Sequence, residues 1–63
     1  MPWDESNPPP SMRRLPARVR RKAIEIANAL LAEGHDEGMA IRVAIAQAKA
    51  WASRHPEVGE GAR

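Results

Sequence analysis

Cysteine, phenylalanine and tyrosine are all missing from this 63-residue sequence, and two tryptophans are its only aromatic residues. Without cysteine there can be no disulfide, no thiolate metal ligand and no thiol nucleophile. Small secreted domains usually need such staples, so their absence, together with a Met1 start that carries no apolar leader, leads us to expect a reducing cytoplasm. No apolar run approaches the length that spans a bilayer, and no membrane partner is expected. Charge of one sign is not in excess either: ten basic residues stand against eight acidic ones, a formal net charge of +2. A chain this short has room for one domain with a small core.

What is present is strongly segmented. Four of the first ten residues are proline (Pro2, Pro8, Pro9 and Pro10). Proline lacks a backbone donor and biases its predecessor away from helix, so residues 1–11 read as an extended arm with polyproline character at 8–10, within a Pro-rich arm and basic entry at 1–15. The triple proline suits a rigid spacer better than a ligand for a proline-reading groove. Residues 56–63, with Pro56, Gly59 and Gly61, read as a flexible tail.

Between them, residues 16–55 carry two helical patterns. The first spans about 17–33, with Pro16 suited to its start. Val19, Ala23, Ile26, Ala27 and Leu30 share one face, flanked by Ile24 and Leu31, while Arg18, Arg21, Lys22, Glu25, Asn28 and Ala32 fall opposite. Gly34 provides the left-handed stop and Asp36 the N-cap of a second helix at about 37–54. There Ala40, Ile41, Ala44, Ile45, Ala48, Trp51 and Ala52 form the main apolar arc. Met39, Val43 and Ala50 extend apolar character around a second side. The short connection predicts an all-α antiparallel helical hairpin. Such a hairpin has a thin core, so a third component is needed: the Trp3 arm, a short turn around Ser11–Leu15, or a second copy of the chain.

These residues also carry a resemblance. Met1-Pro2-Trp3, Ser11-Met12 with Leu15, the run Lys22 to Leu31, Glu33-Gly34, Asp36-Glu37-Gly38, Ala40-Ile41, Ala44 to Lys49 and Trp51-Ala52 resemble a family of short uncharacterised bacterial proteins. Some of those relatives carry a second small domain of unknown function. The resemblance covers roughly residues 1–52 and implies a bacterial, cytoplasmic, non-enzymatic helical module with no catalytic or ligand residue to carry over. With the chain ending soon after Trp51, no second-domain activity is expected. A fainter similarity to small cation-transport regulator proteins rests on the Met-Pro-aromatic start, Leu15-Pro16 and a tryptophan in an alanine-rich helix. No regulatory role follows from features so general.

The feature with most bearing on function is basic. Arg13, Arg14, Arg18, Arg20, Arg21 and Lys22 place six cations within ten residues around the start of the first helix. Lys49 and Arg54 should lie at the same end of the hairpin, while Glu33, Asp36 and Glu37 gather at the turn. Such a patch can meet the phosphates of nucleic acid, or an acidic protein. The plainer account is a solvated arginine-rich helix start, with Arg21 and Glu25 paired one turn apart. No aromatic interleaves the cations in sequence, which argues against base stacking. A helix-turn-helix reading of residues 27–46 offers only Arg42, Gln47 and Lys49 for polar readout on the second helix and has no third helix to complete it.

Trp51 reads as core. Trp3 either packs back on the hairpin or anchors a partner, and with Met39, Val43 and Ala50 it makes up the candidate partner-contacting set. His35 and His55 are too far apart to ligate a metal together, and no serine has a base and orienting acid beside it. No cofactor, small-molecule substrate or catalysis is expected. The chain reads as an interaction or accessory module for a protein partner or a homodimer, with nucleic-acid binding as the alternative.

Overall fold

The computed structural model describes residues 2–56, so the expected flexible tail lies, apart from Pro56, outside the described residues. A three-residue 3-10 helix, Pro10–Met12, precedes two helices, α1 (Ala17–Ala32) and α2 (Glu37–Arg54). No strand forms among the described residues beyond an isolated bridge between Asp4 and Asn7. The all-α hairpin expected from the sequence is therefore the fold. Its antiparallel sense is visible where Lys22 and Ile26 of α1 line one groove with Ala50, Trp51 and Arg54 of α2.

The helix ends follow from local chemistry. Pro16 caps α1, its carbonyl accepting from the Arg20 N–H at 2.8 Å. At the other end Gly34 adopts a φ of 97°. That left-handed residue lets the His35 N–H reach the Leu30 carbonyl at 3.1 Å and its own N–H reach the Leu31 carbonyl at 3.0 Å. This pair of bonds is the Schellman arrangement, which satisfies carbonyls the helix end would leave open. Two residues on, the Asp36 carboxylate accepts from the Met39 N–H at 3.1 Å, and α2 begins.

The helices meet along alanines. Ala23 and Ala27 of α1 and Ala40, Ala44 and Ala48 of α2 are all fully buried. Side chains this small bring backbones close but bury little apolar area each, and burial is what stabilises a core. Part of the bulk comes from outside the hairpin. Met12 in the 3-10 helix is fully buried, as is Pro9 before it. Trp3 and Leu15 pack on the same cluster, alongside Val19 and Ile26 of α1 and Ile41 and Ile45 of α2. Two of the three candidate components, the arm and the Ser11–Leu15 turn, thus complete the core together.

The arm departs from a simple extended strand. Asp4 accepts from the N–H groups of Ser6 and Asn7 through its carboxylate, at 3.0 and 2.9 Å, and from Asn7 again through its carbonyl. An acidic side chain bonding the backbone two and three residues on makes a turn. Pro9 keeps the polyproline conformation, whereas Pro10 opens the 3-10 helix.

Candidate interaction surfaces

The residue that fixes the arm is Asn28. Its position among Arg21, Lys22 and Glu25 assigns it to the polar face of α1, but the structure buries it to 8% exposure. Its amide donates to the Trp3 carbonyl at 3.0 Å and accepts from the Trp3 N–H at 3.3 Å. One side chain thereby satisfies both backbone groups of a residue that has no strand partner. Ile24, placed on the flank by periodicity, is buried for the same reason: the arm lies over that side of α1. Leu30, expected at the centre of the apolar face, is only half-buried. The effective core face of α1 is rotated toward the arm, a shift that helical periodicity alone does not show.

The six cations divide into distinct settings. Arg20 is structural, donating from Nη1 to the Leu15 carbonyl at 2.9 Å and tying the 3-10 turn to α1. Arg21 pairs with Glu5 of the arm at 3.3 Å, not with Glu25. Glu25 instead accepts from Lys22 at 3.4 Å. Arg18 places its guanidinium carbon 4.6 Å from the centre of the Trp51 ring, and the Lys22 ammonium lies 5.2 Å from the same ring. Arg13 and Arg14 are exposed in the turn before α1 and make no ion pair among the described residues.

Trp51 is therefore not core. It is half-buried at the open end of the hairpin, carrying Arg18 and Lys22 against its ring and tilted at 35° to the His55 imidazole 5.4 Å away. Spacing along the chain concealed this, because the aromatic that joins the basic cluster comes from α2, some thirty residues later. Its ring is already in use by cations.

Trp3 and Trp51 both border an open groove of about 1200 Å³ along α1, from Arg18 to Ala32. Its rim is electrically balanced, with Arg18, Arg21 and Lys22 facing Asp4, Glu5 and Glu25. On the far side of α2, Met39 and Val43 are half-buried and Ala46 and Ala50 exposed. The arm does not lie there; it sits against α1 through Asn28 and Arg21.

His35 sits at the turn, 3.5 Å from the Glu33 carboxylate, while His55 stacks at the other end. Among the described residues no group of three or more His, Cys, Asp or Glu is placed to hold a metal ion. None of the helices described is long and apolar enough to cross a membrane.

No family model matches the chain, and no solved structure matches it. The chain is similar to a protein of Bacillus subtilis (strain 168) described as uncharacterized protein YdaT, at 50% identity over 52 residues. That stretch is 82% of this chain but 35% of the relative, so the chain spans about a third of the length of the curated protein it matches. The likeness is thus to an uncharacterised bacterial protein, in keeping with the resemblance carried by the residues from Met1 to Ala52.

Proposed function

We propose that this protein is a non-enzymatic interaction module that pairs with a second copy of itself through the outer side of α2. The observation that carries this reading is the spacing of the apolar residues left uncovered there. Met39, Val43, Ala46 and Ala50 recur at intervals of four, three and four, and none of them is buried. That interval is the one by which two helices form a continuous seam, and a seam in one copy is by construction available in the other. The two alanines permit close approach, while Met39 and Val43 supply the apolar area that their half-exposure leaves in water. The reading assigns no catalytic, cofactor-binding or metal-ligating residue.

Sedimentation over roughly 1 μM to 1 mM protein, the range in which weak dimers separate, tests it directly. The wild-type chain should pass from monomer to dimer across that range, and Val43→Glu should stay monomeric with its helical circular dichroism intact. A chain that remains monomeric throughout, or a Val43→Glu variant that still dimerises, would remove the reading. The protein would then be left as a module for an unrelated partner.

A further inference from the structure

We infer that the open end of the hairpin is a docking surface for the phosphate backbone of duplex nucleic acid, a surface that meets the outer side of α2 at Ala50. Cations converge there from three segments. Arg13 and Arg14 project from the turn before α1, Arg18 and Lys22 stand one helical turn apart on α1, and Arg54 joins Lys22 and Trp51 in the groove between the helices. Residues 13–22 include six cations and no acid. Glu33, Asp36 and Glu37 lie at the opposite end, around the connection between α1 and α2, while Asp4, Glu5 and Glu25 border the groove beside Arg18, Arg21 and Lys22. The exposed Arg13 and Arg14, with no ion pair among the described residues, leave the excess of positive charge at this end that attracts a polyanion.

Three features select the partner. The cations lie on open surface and along the edges of wide grooves that enclose no single phosphate, so a polymeric anion fits. The Trp51 ring already carries Arg18 and Lys22, with His55 beside it, which leaves less of it for an unstacked base and favours duplex over single strand. The indole also holds the two cations side by side, which lowers the entropy lost when they meet successive phosphates. The pairs of Arg21 with Glu5 and Lys22 with Glu25 are solvent-exposed, and such pairs exchange readily for a stronger anion. An α2 rich in alanine offers no set of side chains for reading base edges, so binding is independent of sequence.

The test is fluorescence anisotropy with a labelled duplex DNA of arbitrary sequence at about 50 and 200 mM salt. If Arg13, Arg14, Arg18 and Lys22 each neutralise a phosphate, affinity should fall about 150-fold between those concentrations. In Arg13→Ser/Arg14→Ser the fall should shrink to about 10-fold, since two contacts are gone. Both side chains are exposed, so the variant should keep its wild-type circular dichroism. Arg42→Ser, at the acidic end, should leave the salt dependence unchanged. Any of three results would overturn the inference: no binding at the lower salt, a salt slope that Arg13→Ser/Arg14→Ser does not alter, or equally tight binding to polyglutamate. The last would point to an acidic protein as the partner.

Discussion

At the scale of single residues, Asn28 shows how a side chain can be misplaced by periodicity and still be chemically legible. An amide carries a donor and an acceptor side by side, and Trp3 presents a matching backbone pair. Asn28→Ala leaves both Trp3 groups without their partner and should destabilise the fold by about 1–3 kcal/mol. Asn28→Asp should be at least as costly, because a carboxylate would face the Trp3 carbonyl at a nearly buried site. Urea denaturation reads both, and Asn28→Asp as stable as wild type would show that the donor to Trp3 is dispensable. The sequence does mark an amide on an otherwise charged face, but only the fold reveals that an arm twenty-five residues away supplies its partner. Trp51 is the reverse case. An aromatic on an apolar arc suggests core, and the cations that hold it at the surface come from the other helix.

Helices are where the sequence is most readable, because their ends are set by residues with strong local preferences. Pro16, Gly34 and Asp36 place the bounds of α1 and α2 within about a residue of those observed, in line with the usual fraying of helix ends. The two glycines around the connection should respond to one substitution with opposite signs. Gly34→Ala forces an L-residue to a φ of 97° in open space, so its cost is purely backbone, about 1–2 kcal/mol. Gly38 lies in the first turn of α2, where an added Cβ would meet the Asp36 carboxylate at 3.4 Å and the Arg42 guanidinium at 3.6 Å, ordinary contact distances. Gly38→Ala should therefore stabilise by about 0.4–1 kcal/mol through the unfolded chain. Thermal midpoints of the two variants should straddle the wild type.

On the scale of the whole molecule, the core is completed by what precedes the hairpin. Five fully buried alanines bring α1 and α2 together, with Ile24 nearly buried beside them, but the largest fully buried side chains, Met12 and Pro9, lie before α1. The need for a third component could be argued from composition, since two alanine-rich helices bury too little to hold so short a chain. Which component it was could not, because the arm docks through a backbone that leaves no periodic trace in sequence. Deleting residues 1–7 removes Trp3 and the Glu5 pair while keeping Pro9 and Met12. That should destabilise by about 1.5–3 kcal/mol, the worth of a large apolar side chain. Each kcal/mol lowers the midpoint by about 4–8 °C in a chain of this size. An unchanged midpoint would show the hairpin and its 3-10 turn to be self-sufficient.

The clamp between Asn28 and Trp3 grips main chain and ignores what hangs from it. Position 3 can therefore be relabelled: a fluorescent, photo-crosslinking or cyano-bearing amino acid placed there would keep its seat on α1, where it would report directly on whatever approaches the groove. The one residue the seat refuses is proline, which has no N–H to donate, in a segment where proline is otherwise the commonest choice.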